Sequence, residues 1–461
     1  MSREAPSILI VDDDAVTCEL LCEIFTREGF NARFTHSGES ALAAVRKERL
    51  DILVSDIRMK TRLDGLALLD RVRRERPSLP VILMTAFGSL ETAIKAVKEG
   101  AFDYISKPFD IETMVATVQR ALALRSPGRR NGSDERTGDE EIASGLVGRN
   151  PAMLEIYKMI ARVSDSRAAV LITGESGTGK ELVARAIHAH GLRCGAPFVA
   201  VNCGALTETL LESELFGHVK GSFTGAIANK RGIFEQAGEG TVFLDEISET
   251  SAALQVKLLR ALQEREVVPV GGAAPVKVQA RMIAASNSDL EKLCDEGQFR
   301  RDLFYRLNVI NIHLPPLRER RDDIPLLVAH LLRKHTQQGQ TPPTVDERAL
   351  HSLTSYSWPG NVRELENVIE RAITLNASGR ITPEDLPPKV CGYGAESVTA
   401  KAGADDLAAL FAGLPTIDEI ERRYLQYVLE ATGDNRKRAA EILGINRRTL
   451  YRMAERFQIE L

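Results

Sequence analysis

The stretch AVLITGESGTGKE, residues 169–181, decides the fold of the centre of this 461-residue chain. An apolar run, a glycine-rich turn and a helix-compatible run follow one another, and Gly174, Gly179 and Lys180 meet the G-x-x-x-x-G-K spacing. Such a turn lets backbone N–H groups and a helix N-terminus cradle phosphates, with a lysine reaching the terminal ones. Gly174, Glu175, Ser176, Gly177, Thr178, Gly179, Lys180 and Glu181 are therefore the candidate ATP-binding residues. Glu181 stands where Ser or Thr usually ligates Mg²⁺.

Working outward, GTVFLDE (240–246) is a second apolar strand ending in two acids. Asp245 suits Mg²⁺ and Glu246 suits polarising an attacking water. VQARMIAASN (278–287) is another strand, ending in Asn287, and Asn202 follows the strand-like PFVAV. FRRDLFYRLN (299–308) concentrates Arg300, Arg301 and Arg306, an excess of guanidinium that suits phosphate or surface ion pairs. GHVKGSFTGAIANKRG (217–232) places Phe223 and Thr224 between glycines, a flexible loop tip or a tight turn with a buried ring.

Nearer the start, Ile8–Val11 ends in Asp12, Asp13 and Asp14, and DILVSD ends in Asp56. VILMT ends in Thr85, and YISKPF presents Tyr104 and Lys107. Four strand–helix units thus put carboxylates, a hydroxyl and an ammonium outside the carboxyl ends of parallel strands, where open α/β sheets bind ligands. Paired acidic strand ends invite a divalent cation. The other end of the chain is basic: from Asn435 to Leu461 seven Lys/Arg face three Glu, although the whole chain carries a net charge of −4. Two short helices there flank Leu443-Gly444-Ile445, with small Ala439 and Ala440 where helices would touch. That pattern suits a helix-turn-helix whose second helix enters the major groove, or a hairpin used only for dimerisation.

Composition bounds the rest. With 44% hydrophobic and 27% charged residues, the chain reads as about three globular domains. No run approaches the ~18 apolar residues of a membrane span, and the start lacks a signal-peptide layout, so a cytoplasmic protein is expected. Cys18, Cys22, Cys194, Cys203, Cys294 and Cys391 form no metal or redox spacing and read as reduced thiols. RSPGRRNGSDERTGDEE (125–141) and CGYGAESVTAKAGADD (391–406) read as linkers.

Residues 1–124 resemble the response-regulator receiver domain. The resemblance implies Asp56 as phospho-acceptor, Asp12 and Asp13 as Mg²⁺ ligands beside it, Thr85 and Lys107 as phosphoryl contacts, and Tyr104 as the aromatic switch. MKTRLDG (59–65) departs from the family's usual Met-Pro-Gly loop. The segment 144–390 resembles the AAA+ domain of the NtrC family of sigma-54 activators, in which GESGTGKE is the usual form. It implies Asn287 as nucleotide sensor, Asn202 as a restraint on Glu246, Arg300 and Arg306 as fingers acting on a neighbouring subunit, and Arg363 in WPGNVREL as second sensor.

By the same resemblance, Gly221, Ser222, Phe223, Thr224, Gly225 and Ala226 stand as the GAFTGA loop that contacts sigma-54, with Ser222 replacing alanine. ISETS (247–251) lacks the Gly and Pro often found after the acidic pair. Residues 415–461 resemble the Fis-type helix-turn-helix, implying Arg436, Asn446, Arg447, Arg448, Thr449 and Arg452 as DNA-facing. Linkers at 125–143 and 391–414 join the three parts.

The expected fold is multidomain α/β plus α: a flavodoxin-like receiver with a doubly wound parallel sheet, an AAA+ P-loop ATPase with a helical subdomain, and a C-terminal helix-turn-helix. The implied function is a two-component response regulator activating transcription by sigma-54 RNA polymerase. Its cofactors would be ATP and Mg²⁺; its partners the sigma-54 holoenzyme, upstream enhancer DNA, a cognate sensor histidine kinase, and further copies of itself as a dimer and an active hexameric ring, without a membrane. The alternatives are a phosphorylation-gated DNA-binding regulator with weak ATPase, and an AAA+ remodeller of another client.

Overall fold

The structure is a computed structural model and describes residues 5–86, 89–123, 145–223, 226–336, 341–376, 379–391, 416–431, 436–445, 447–457 and 459. Linker 125–143, and 391–414 apart from Cys391, lie outside the described residues. The chain divides into two compact units, Met1–Leu386 and Pro387–Leu461.

Unit one begins with β1 (Ser7–Val11), α1 (Ala15–Arg27), β2 (Asn31–Thr35), α2 (Gly38–Lys47), β3 (Ile52–Asp56), α3 (Gly65–Glu75), β4 (Val81–Thr85), α4 (Leu90–Lys98), β5 (Asp103–Ser106) and α5 (Ile111–Ala123). The sheet is parallel in the order β2-β1-β3-β4-β5, a doubly wound arrangement whose switch point lies between β1 and β3. β1, β3 and β4 are buried along their whole length, as their apolar runs require. The fifth strand, β2, is one more than the four strand–helix units read from the sequence. Its residues NARFT are all exposed or partly exposed, because an edge strand buries no continuous apolar run. Helix starts follow their caps: Asp14 accepts from Val16 and Thr17 N–H at α1, and Asp64 from Ala67 N–H at α3.

The second half of the unit contains α6 (Pro151–Val163), β6 (Val170–Thr173), α7 (Lys180–Ala189), β7 (Phe198–Asn202), α8 (Glu208–Phe216), the ribbon β8 (Gly217–His218) and β9 (Lys230–Arg231), α9 (Ile233–Gln236) and β10 (Thr241–Asp245). Next come α10 (Ala252–Gln263), β11 (Glu266–Val267), β12 (Val276–Lys277), β13 (Arg281–Ser286), α11 (Leu290–Asp295), α12 (Arg301–Leu307) and β14 (Ile310–His313). The helices α13 (Ile324–His335), α14 (Glu347–Ser355) and α15 (Asn361–Leu375) form a lid. The main sheet is parallel in the order β14-β6-β13-β10-β7.

These halves share a packed face. Leu90, Ala93 and Ile94 of α4 and Tyr104 of β5 belong to one buried cluster with Leu154, Tyr157 and Ile160 of α6. Within that face Lys158 ion-pairs with Asp103 at 2.5 Å and with Glu155 at 2.8 Å, and both Lys158 and Asp103 are buried.

In unit two, α16 (Ile417–Ala431), α17 (Arg436–Ile442) and α18 (Arg447–Phe457) enclose Leu425, Val428, Leu429, Ala439, Ala440 and Leu450. Gly444 takes φ 66° in the turn between α17 and α18, where a side chain is rarely accommodated. No helix among the described residues is long and apolar enough to cross a membrane.

Candidate functional site

At the carboxyl edge of the first sheet, Asp12 follows β1 and Asp56 ends β3, so the two straddle the switch point. Carboxylate oxygens of Asp12, Asp13 and Asp56 lie within 4.8 Å of one another, a donor set suited to a hard divalent cation such as Mg²⁺. Lys107 Nζ donates to Asp12 at 2.5 Å and lies 3.4 Å from Asp56. Burial pushes the Asp56 carboxyl up to about 6, against the pull of Lys107 and with a further push from Asp12. Burial alone would lower Lys107, but the hydrogen bond to Asp12 and the charges of Asp56 and Asp12 outweigh it and raise it.

Thr85 and Tyr104 are both buried, Thr85 at the end of β4 and Tyr104 on the neighbouring strand. The long loop after Asp56 returns to it at Gly65, where a Cβ would sit 2.2 Å from the Asp56 carbonyl oxygen. Only glycine permits that approach, so the unusual 59–65 segment still ends tightly against the candidate acceptor.

The second sheet carries the glycine loop after β6. Gly174, Gly177 and Gly179 have φ of 147°, 78° and 106°, a backbone that residues with a Cβ rarely adopt. Lys180 opens α7 and donates to the carbonyls of Gly174 at 2.8 Å and Glu175 at 2.9 Å. Burial lowers its affinity for the proton despite the charges of Asp245 and Glu246. Thr178 Oγ1 closes the turn on the Glu175 carbonyl at 2.8 Å. Glu181 points away to an exposed pair with Arg185 at 2.7 Å. The carboxylate of Glu175 turns to the lid, where Arg318 and Asn361 hold it.

Asp245 ends β10 in register with Asn202 at the end of β7. Its carboxyl is raised by burial and accepts from the Glu246 N–H at 3.0 Å. Glu246 itself takes φ 54°, and its carboxylate lies beside Gly204. Asn202 Oδ1 accepts from Gly204 and Ala205 N–H at 2.8 and 3.0 Å, so its carbonyl group holds the turn that faces Glu246. Asn287 lies exposed just beyond β13, and Arg363 is exposed on α15, close enough for its charge to act on Lys180.

Among the described residues Arg306 is exposed with no ion-pair partner, whereas Arg300 is held by Asp302 through two hydrogen bonds of 3.1 and 2.7 Å. Arg301 pairs with Asp295. These two arginines are thus occupied by surface carboxylates on the same segment.

Between the ribbon strands β8 and β9 lie the described residues 219–223 and 226–229. Gly221 N–H donates to the Ala226 carbonyl at 2.9 Å, and Ala226 N–H to the Phe223 carbonyl at 3.0 Å. Phe223 is 39% exposed and its ring stands edge-on to His218 at 5.0 Å, so it is not the buried ring of a tight turn. Ser222 is pressed against Gly271, and its buried hydroxyl has no hydrogen-bond partner among the described residues. Thr224 and Gly225 lie outside the described residues.

On α18, Arg448 and Arg452 are exposed and Thr449 is partly so. Arg436 of α17 stacks over Tyr451 at 5.8 Å and donates to its hydroxyl at 3.2 Å. Asn446 and the side chain of Arg447 lie outside the described residues.

Motif reading had not singled out Arg318, Arg320 and Asn361, which contact the glycine loop, nor Asp323, which holds the N–H groups of Arg149 and Asn150, nor Lys158 and Asp103. The dense charge of LRERRDD (317–323), beside apolar turns, was the available signal.

Four family profiles match in succession: the response regulator receiver domain at residues 8–119, the sigma-54 interaction domain at 146–313, the AAA+ ATPase lid domain at 318–402, and the Fis-family bacterial regulatory protein at 416–455. Regulatory protein AtoC of Escherichia coli (strain K12) is 47% identical, with 97% of each chain covered. The DNA-binding transcriptional regulator NtrC of Azospirillum brasilense is 42% identical over 99% of this chain and 98% of its own. The crystal structure of NtrX from Brucella abortus in complex with ATP is 34% identical, covers 99% of this chain and 100% of its own, and superposes with a TM-score of 0.51. A receiver sheet, a sigma-54 interaction domain with its lid and a Fis-type helix-turn-helix, shared with relatives along nearly the whole length, place the chain in the NtrC family of sigma-54-dependent two-component response regulators.

Proposed function

We propose that a sensor histidine kinase phosphorylates Asp56, that this frees the central domain to assemble into a hexameric ring, and that ATP hydrolysis drives the 221–226 loop against sigma-54 holoenzyme at promoters served by upstream enhancer DNA. The parts divide at residues 1–124, 144–390 and 415–461. In this reading Asp12, Asp13 and Asp56 hold Mg²⁺, which offsets charge on the transferred phosphoryl group. Lys107 and Thr85 contact that group, and Tyr104 carries the change to the α4–α6 face. The site works in the cytoplasm.

The backbone N–H groups of residues 174–181, with the Lys180 ammonium, hold the ATP phosphates, and Asp245 suits the Mg²⁺ that accompanies the nucleotide. Glu246 takes a proton from the attacking water, restrained by the turn that Asn202 builds. Asn287 and Arg363 sense the nucleotide. Arg306, and Arg300 once it leaves Asp302, reach a neighbouring subunit's nucleotide, which makes the oligomer necessary for turnover. Arg436, Asn446, Arg447, Arg448, Thr449 and Arg452 face DNA.

The observation that carries this reading is the exposed Phe223 on a ribbon within the same α/β unit as the glycine loop. An apolar ring displayed there has a client to meet. The test is capture of purified sigma-54 by the protein with an ATP transition-state analogue, in wild type and Thr224→Ala. Nucleotide-dependent capture that Thr224→Ala abolishes is expected; capture of neither form, with hydrolysis intact, favours remodelling of another client.

A further inference from the structure

The glycine loop is gripped from the lid side at four consecutive residues. Glu175 receives both terminal nitrogens of Arg318, at 2.9 and 2.7 Å, and Asn361 Nδ2 at 3.2 Å. The same Nδ2 donates to the Ser176 carbonyl at 3.0 Å. Val362 and Arg363 N–H donate to the Gly177 carbonyl at 3.0 and 3.3 Å, and Arg320 donates to the Thr178 carbonyl at 3.1 Å.

These grips differ in exposure. Asn361 is fully buried at φ 53°, and its Oδ1 accepts from Leu317 N–H at 2.8 Å; Arg320 is 2% exposed. Both are fixed parts of the fold. Arg318 and Glu175 are each 42% exposed. An ion pair so open to water adds little to folding and opens at little cost. Its place is nevertheless specific: the Glu175 carboxylate belongs to the very loop whose backbone would receive a triphosphate. Left bare, it would repel that anion. The hydrogen bonds from Arg318, and then from Asn361, hold the carboxyl below its ordinary range, so the repelling charge is present and needs a partner.

We propose that Arg318 is a positioning residue for nucleotide: its fork on Glu175 latches the lid to the glycine loop and masks the loop carboxylate. The latch thereby sets nucleotide affinity and leaves the hydrolytic step alone. The inference rests on reading residues 174–180 as the ATP cradle.

The test uses the full-length protein with Mg²⁺, fluorescent ATP and ADP analogues for Kd, and ATP turnover for KM and kcat. Arg318→Gln leaves the Glu175 charge with only the neutral Asn361 amide and is expected to weaken ATP binding about 5- to 10-fold, and ADP binding less, because the more charged ligand is repelled more. The kcat should not move. Adding Glu175→Gln removes the bared charge and should bring Kd back to within about twofold of wild type, a non-additive recovery expected of coupled neighbours. Arg318→Lys, which keeps the charge and loses the fork, should fall between.

Wild-type affinity in Arg318→Gln, a loss that the double variant does not reverse, or a lower kcat at unchanged KM would each overturn the latch. Failure of the wild type to bind either analogue would instead reject the cradle itself, and the latch with it. Both side chains are surface-accessible, and a thermal midpoint matched to wild type confirms that each variant is folded.

Discussion

At the carboxyl edge of the first sheet, three carboxylates cluster and two of them meet Lys107; at that of the second, Lys180 meets backbone carbonyls and a glycine loop. Both edges suit phosphate chemistry, yet their lysines shift in opposite directions. Lys107 is raised because neighbouring carboxylates outweigh burial, whereas Lys180 is lowered because burial outweighs more distant acids. Under the proposed function, the acidic edge binds a cation first and a phosphoryl group with it. The glycine edge offers a phosphate neutral dipoles and one cation.

The sharpest way to break this comparison is to disable one edge and read the other. Asp56→Asn is expected to abolish covalent phosphoryl incorporation while leaving nucleotide affinity within about twofold of wild type, since the two sites share no ligand. Lys180→Ala should do the reverse, with fluorescent ATP binding weakened beyond about 100-fold and phosphorylation at Asp56 retained. Loss of both activities in either variant would mean that the edges are one coupled site.

Next in size, Arg306→Ala should lower ATP turnover about 10³-fold with Kd for ATP unchanged, as a finger supplied by a neighbour requires. Mixing Arg306→Ala protein with an ATP-binding-defective variant should restore part of the turnover, which a finger acting within its own subunit would not permit.

The joint between the edges is testable through Lys158. Asp103 is also held by Arg120, so removing Lys158 costs less than the about 3–5 kcal/mol of leaving a buried charge without any partner. Lys158→Ala should loosen the α4–α6 face and raise ATP turnover in protein that has not been phosphorylated. Unchanged turnover would show that the face carries no signal.

A pH test sharpens the acidic side. Asp56 is pushed up to about 6 by burial, so the folded chain holds this proton more tightly than the unfolded one. Its ionisation therefore costs stability above about pH 6, and the cost disappears below about pH 4. Asp56→Asn should raise Tm at about pH 8, by no more than about 3 kcal/mol in stability, and leave it unchanged at about pH 4. Smallest is Ser222→Ala, which deletes a buried hydroxyl that has no partner among the described residues and should stabilise the loop by about 1 kcal/mol, read as a higher Tm.

Much of both edges was legible in local sequence. The strand ends at Asp12, Asp56, Thr85 and Asp245 were read from apolar runs that stop at a polar residue, because a buried parallel strand announces itself in consecutive residues. Strand β2 was not, since an exposed edge leaves no such run. The partner of Glu175 was equally hidden: Arg318 lies 143 residues further on and resembles any other surface arginine until the lid folds back. Arg300 and Arg306 look alike in FRRDLFYRLN, but among the described residues only Arg300 is paired with Asp302.

The sequence by itself determined the order of the parts, the two sheets with their polar strand ends, the glycine loop and the basic helix-turn-helix, since each is written in residues close along the chain. Tertiary structure alone decided which charges meet: Lys107 with Asp12 and Asp56, Lys158 with Asp103, Arg318 with Glu175, and Arg306 with no described partner. Backbone conformation and burial follow short-range pattern, whereas Coulomb energy depends on distance and local dielectric, and folding sets both.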